Sequence, residues 1–187
     1  MSAQIAPILG FLYALSEAGL LWLKRSGKGA ADADRGSLAL IWVVILASVF
    51  AAFTLAHALP QLALGPEGIY RPAGATVFAA GIIVRWYAIL ALGRFFTVNV
   101  AIASDHRLVE AGPYRLLRHP SYTGALLAFL GLGICIDNWA SLAVLIVPAS
   151  VVFLRRMRIE EDALLETFGE RYRDYMRRTR RLIPFIY

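Results

Sequence analysis

The 187-residue chain has one cysteine, three histidines and only thirteen acidic residues against nineteen basic ones. A lone thiol, Cys135, excludes an internal disulfide and any multi-cysteine metal site. Its apolar neighbours Leu132, Ile134 and Ile136 mark it as a packing residue. No pair of histidines, and no histidine with a carboxylate, stands at metal-ligand spacing, so no metal is expected. His57, near the end of an apolar run, reads as an interfacial histidine rather than a ligand. Gly27-Lys28-Gly29 lacks the glycine spacing of a phosphate loop, and no internal repeat or low-complexity tract is present. The stretch "MSAQIAPILG" carries neither a basic segment nor a small-residue cleavage site and is read as part of the first apolar run.

What the chain has in abundance is oil. Apolar residues make up 59% of it and the mean hydropathy is +0.62, well above the roughly 45–50% apolar content of soluble proteins. Such a chain belongs in a membrane, and its net charge of +6 then points to anionic lipid headgroups rather than to nucleic acid. A bilayer core takes about 20 apolar residues per helix, and the runs 3–23, 38–59 and 73–92 each supply that. The region 120–154, interrupted at Asp137-Asn138, reads as a hairpin of two short helices. The expectation is an all-α integral membrane bundle of about five transmembrane helices, a single domain over residues 1–187. Seventeen of the nineteen basic residues lie in the first polar loop, the loop after the third span and the C-terminal tail. The positive-inside rule places those three segments, and with them the C-terminus, in the cytoplasm.

The tail, 155–180, reads as an amphipathic cytoplasmic helix along the membrane interface. Leu164, Leu165, Phe168, Tyr172, Tyr175 and Met176 recur at steps of three and four, with charges on the other faces. Two charged residues stand inside predicted spans, Glu17 and Arg85. At about 1.5 Å per residue they lie at similar depth, so a pair between the helices is expected.

The chemistry-bearing residues gather in "DHRLVEAGPYRLLRHPSYTG" and "RRMRIEEDALLETFGERYRDYMRRTRRLIPF". Pro120 suits the first turn of a helix, which sets His119 just before it, near backbone N–H groups that favour a polar or anionic ligand. Arg156 stands one turn before Glu160 and on its face, whereas Arg155 and Arg158 point toward headgroups. By spacing alone, these residues fit a set of headgroup anchors and salt bridges as well as a ligand site.

"LVEAGPY", "RHPSYTG" and "EEDALLETFGERYRDYMRRTRRLIPF", in that order and separation, resemble the isoprenylcysteine carboxyl methyltransferase family of integral membrane enzymes. The resemblance begins near "RWYAILALGRFFTVNV" and covers about the last hundred residues. Residues 73–187 are then the cofactor-binding core, and the first two spans, within 1–72, carry no signature. The resemblance implies S-adenosyl-L-methionine in a cytoplasm-facing pocket, touched by His106, Arg107, Leu108, Val109, Tyr114, His119, Pro120, Ser121, Tyr122 and Glu160. Asn99 occupies the place of a cofactor-contacting glutamine in the animal enzymes. Arg156 matches the arginine implicated in handling the substrate carboxylate. The partners implied are membrane lipids and a lipophilic, prenylated or lipid, acceptor.

A carboxylate acceptor needs no general base, because a sulfonium and an anion neutralise one another as the methyl group moves; alignment and exclusion of water supply the catalysis. Phospholipid amine and thiol methyltransferases resemble the same half of the chain, and their acceptors must lose a proton. Sterol reductases resemble it too, with a nicotinamide cofactor and usually more spans. A non-catalytic membrane scaffold is the third class.

Overall fold

Long apolar runs with few breakers dictate helices, and the computed structural model is built from them. It describes residues 5–23, 31–32, 36–66, 68–96, 101–102, 107–184 and 186. The helices are α1 (Ile5–Leu23), α2 (Ser37–Ala58), α3 (Arg71–Leu92), α4 (Pro120–Ile136), α5 (Trp139–Phe168) and α6 (Glu170–Arg178). α1, α2, α3 and α5 are long and apolar enough to cross a bilayer, and α4 is a shorter apolar helix of 17 residues. The chain is thus an all-α, multi-pass integral membrane protein. One small exception is a two-residue antiparallel pairing of Ala31–Asp32 with Ala101–Ile102.

The predicted short hairpin holds for α4 but not for α5. α5 runs unbroken for 30 residues, from the far side of the bundle through Arg155–Phe168. The apolar run ends near Leu154, yet the residues after it are good helix formers, and the first residue able to stop the helix is Gly169, at φ 53°. The predicted 155–180 helix is therefore two pieces. Its first half extends α5, and only α6 turns away after Gly169. The aromatic positions Tyr172 and Tyr175 on α6 are buried in protein.

Two seams organise the bundle. α3 packs along α4, and α2 packs along α5. The α3–α4 seam is made of small residues: a Cβ added at Gly81 would overlap the backbone of Ala128, and one at Gly124 or Gly131 would overlap Arg85 or Phe78. Backbones approach this closely in membranes because association there rests on packing rather than on a hydrophobic drive. Cys135 fits the sequence reading, buried with its thiol facing the Arg71 carbonyl and Gly74. Phe129 and Phe153, ring centroids 6.3 Å apart, join α4 to α5, and Tyr13 brings α1 onto Phe129 at 5.0 Å.

At the far end, the Asp137-Asn138 interruption is a polar clasp. Asp137 sits in the left-handed region at φ 66° and ends α4, and Asn138 starts α5 by accepting a hydrogen bond from the Ser141 N–H at 3.1 Å. The Asn138 amide also donates to the Leu59 carbonyl at 2.8 Å, closing the loop between α2 and α3 against this turn.

Candidate active site

The site is built where α4 begins. Pro120 has no N–H to lose in the first turn and leaves His119 as the residue before the helix. A short parallel bridge between Leu117 and Arg180 brings the end of the chain alongside. In it the Arg118 N–H donates to the Arg180 carbonyl at 2.7 Å and the His119 N–H to the Arg181 carbonyl at 3.1 Å. Tyr114, in a 3₁₀ turn over Gly112–Arg115, is fixed by α6, since the Tyr175 hydroxyl donates to its carbonyl at 2.8 Å.

The His119 ring is 5% exposed and lies between two carboxylates of α5. Nδ1 is 3.4 Å from Glu160 Oε2 and Nε2 is 3.2 Å from Glu161 Oε1. The sequence placed this ring toward free backbone N–H groups; the structure turns it onto acids instead, because residues 160 and 161 project from one turn of α5 on either side of it. Burial alone favours the neutral ring, but hydrogen bonds and charge from Glu160 and Glu161 outweigh it and raise the His119 pKa above the ordinary imidazole value. Tyr114 is also pushed up, by burial first and by the Glu160 charge second.

Glu160 has two further partners: the Tyr122 hydroxyl donates to it at 2.5 Å and Arg156 Nε at 3.4 Å. Arg156 is 2% exposed and also donates to the Ser37 hydroxyl, at 2.5 Å, at the start of α2. Arg155 and Arg158, on other faces of α5, are exposed as their spacing implied.

These groups form one end of a cavity of about 250 Å³. Of the residues read from the sequence, Arg107, Leu108, Val109, Tyr114, His119, Ser121, Tyr122, Arg156 and Glu160 all line it. Pro120 is buried and does not. Asn99 and His106 lie outside the described residues. Ile41, Trp42, Ile45 and Val49 of α2, Leu20 of α1 and Phe153 of α5 add apolar lining, beside the charged Glu17, Arg85 and Arg118. Among the described residues, no group of three or more His, Cys, Asp or Glu side chains is placed to hold a metal ion.

Sequence reasoning missed a knot behind the ring. Glu161 accepts from Arg118 Nε at 2.9 Å and from Arg181 Nε at 3.1 Å. All three residues stand inside the two quoted motifs, so the signal was present, but spacing does not say that residue 181 folds back onto residue 118. Ser37 had no signal at all. The expected pair did form: Arg85 and Glu17 meet in the cavity wall.

The family model "Phospholipid methyltransferase" matches residues 70–171, more than half of the chain, from the start of α3 into α6. The chain belongs to this family. Among curated relatives, "Protein-S-isoprenylcysteine O-methyltransferase B" of Arabidopsis thaliana is 35% identical over 115 residues, covering 60% of this chain and 58% of that protein. The "Protein-S-isoprenylcysteine O-methyltransferase" of Tribolium castaneum is 36% identical over 115 residues, 60% of this chain and 41% of its own. The solved "eukaryotic intramembrane Ras methyltransferase ICMT (isoprenylcysteine carboxyl methyltransferase)" aligns with a TM-score of 0.64 at 32% identity, over 77% of this chain and 52% of that one. The chain therefore spans between two-fifths and three-fifths of the length of these proteins. The family match leaves α1 and α2 outside it.

Proposed function

We propose that the protein is an S-adenosyl-L-methionine-dependent methyltransferase of lipophilic acceptors, with a prenylcysteine carboxylate as the acceptor that fits best. The observation that carries this reading is a cavity in which residues of both motifs meet the apolar side chains of α1 and α2. The donor set suits the cofactor. Glu160 offers acceptor oxygens for ribose hydroxyls or an ammonium group, while Arg107 offers cationic N–H groups for a carboxylate and the His119 ring, held between Glu160 and Glu161, keeps Glu160 in place. Tyr114, Ser121 and Tyr122, with Leu108 and Val109, supply the remaining wall. When bound, the cofactor supplies an electrophilic methyl group on a sulfonium.

The protein's part is alignment and dryness. Arg156 can present two parallel N–H groups to an acceptor carboxylate and hold one oxygen toward the polar end, while the α1 and α2 side chains receive a hydrocarbon chain. Since side chains of both α1 and α2 line the cavity, a lipophilic molecule would enter sideways from the bilayer between the helices. The lysine and arginine bias supports a cytoplasmic polar end and C-terminus. The name of the matching family model favours a second acceptor class, the amine of a phospholipid headgroup.

Titration of the purified protein in detergent with S-adenosylhomocysteine and with NADPH tests the cofactor. Heat with the first and none with the second is the expected result, and the reverse would make the protein a reductase. Transfer of label from methyl-labelled cofactor to an S-prenylated cysteine, compared with phosphatidylethanolamine, then identifies the acceptor.

A further inference from the structure

Glu160 faces the cavity, but its neighbour Glu161 does not. The Glu161 side chain is 4% exposed and is spent entirely on protein: the His119 ring, Arg118 and Arg181. These contacts close a ring. The His119 backbone N–H donates to the Arg181 carbonyl, the Arg181 guanidinium grips Glu161, and Glu161 holds Nε2 of the same His119. The strand-like end of the chain is tied down on both sides of this circuit. The Arg180 N–H donates to the Leu116 carbonyl at 2.9 Å, and the Thr123 hydroxyl donates to the Leu182 carbonyl at 2.7 Å. Arg118 Nη1 adds bonds to the carbonyls of Met176 and Thr179, at 3.1 and 2.8 Å.

We propose that Glu161 is the positioning residue that aims the His119 ring at Glu160, and that the Thr179–Leu182 segment is built into the site to hold Glu161 in that role. A histidine with one carboxylate can swing; one with a carboxylate at each nitrogen has its plane fixed. With both nitrogens protonated, each donates to one acid. Nδ1 is then fixed toward Glu160, which faces the cavity. The groups facing the ring are Glu160, Glu161 and, beyond Glu160, Arg156 on α5; Tyr122 on α4, with ring centroids 5.8 Å apart; Arg118 beside it; and Arg181 from the chain end. Tyr172 of α6 stands close enough to feel the Glu161 charge. The inference deepens the cofactor reading of the cavity and shares that assumption only for its binding measurement.

The sign of the effect follows from the raised His119 pKa. The ring's contribution to stability is fully present below the ordinary imidazole value, about 6.5. It is lost as pH rises through the raised, folded-state value. Removing one of two carboxylates moves that loss to lower pH by about one unit or more.

The experiment is thermal unfolding of the full chain in detergent across pH 6 to 10, for wild type, Glu161→Gln, Glu161→Asp and the exposed control Glu166→Gln. The expected result is an acid shift of the pH midpoint in Glu161→Gln, a smaller shift of the same sign in Glu161→Asp, whose carboxylate is withdrawn by one methylene, and none in the control. Affinity for S-adenosylhomocysteine at pH 7.5 should also fall about tenfold in Glu161→Gln, as for loss of one charge-assisted hydrogen bond. An unmoved midpoint in the Asp variant overturns the proposal even if the Gln variant does not fold. The melting profile needs no ligand, so a wild-type protein that ignores S-adenosylhomocysteine would refute the cofactor reading and leave the positioning role to be decided by pH alone.

Discussion

Glu17 on α1 and Arg85 on α3 meet side by side through two hydrogen bonds, 2.6 Å from Nε and 2.7 Å from Nη2, 68 residues apart in sequence. The third arm of the guanidinium, Nη1, donates to the Ser121 carbonyl on α4 at 3.2 Å. One side chain thus joins three helices. Next to it the Trp86 indole donates to the Ser16 hydroxyl at 3.0 Å.

Breaking this pair from one side should leave an uncompensated charge in the bundle and cost about 3–5 kcal/mol. Neutralising both residues should cost less than the two single changes together. A double-mutant cycle on Glu17→Gln and Arg85→Gln, read by unfolding in detergent, is expected to give a coupling of about 1–3 kcal/mol. Simple additivity would show that the contact carries no energy.

Glu160→Gln and His119→Ala should each weaken S-adenosylhomocysteine binding about tenfold or more, since each removes a charged hydrogen-bonding group from the polar end of the cavity. Both variants should still extract and elute as the wild type does. Calorimetric affinities equal to wild type in both would remove these residues from the cofactor site.

Arg156→Lys keeps the charge and loses the two-pronged grip. Methyl transfer to a prenylcysteine acceptor should drop by about tenfold or more while cofactor affinity changes little. Arg155→Lys and Arg158→Lys, exposed on other faces of α5, should retain wild-type turnover. Three equal rates would deny Arg156 its part, and lost cofactor affinity in Arg156→Lys would move it to the cofactor side.

Gly81→Val and Gly131→Val should each destabilise the bundle by about 1–3 kcal/mol or more, because the new Cβ meets backbone of the opposite helix, which cannot yield like a side chain. Gly19→Ala is the control. Nothing lies within 4 Å of a Cβ there, so its unfolding should stay within about 0.5 kcal/mol of wild type.

The helices were readable because apolar runs of about twenty residues have few alternatives in a membrane. The starts of α2, α3 and α4 fall within two residues of their expected places, and Glu17 found Arg85 by depth alone. The end of α5 was misread because hydropathy marks where oil stops, not where a helix stops; that is fixed by Gly169. The site residues were recognisable as motifs, and those inside the described residues do come together, apart from buried Pro120, around one cavity. The direction of the His119 ring was not, since it depends on Glu161, and Glu161 depends on the chain's return at Arg181. Ser37 against Arg156 is a contact across 119 residues that no local pattern records.

The glycine seam between α3 and α4 has a mechanical consequence. Side chains let helices slide and re-interlock; two backbones in contact offer no such bearing, so α3 and α4 behave as one stiff beam, with the polar end of the cavity mounted on its tip. α1 is moored to that beam by an ion pair, a tryptophan hydrogen bond and the packing of Tyr13 on Phe129, with no close backbone approach at Gly10 or Gly19. Compliance is therefore concentrated on one wall of the cavity. A guest that deforms the protein will push α1 aside and leave the polar end in register.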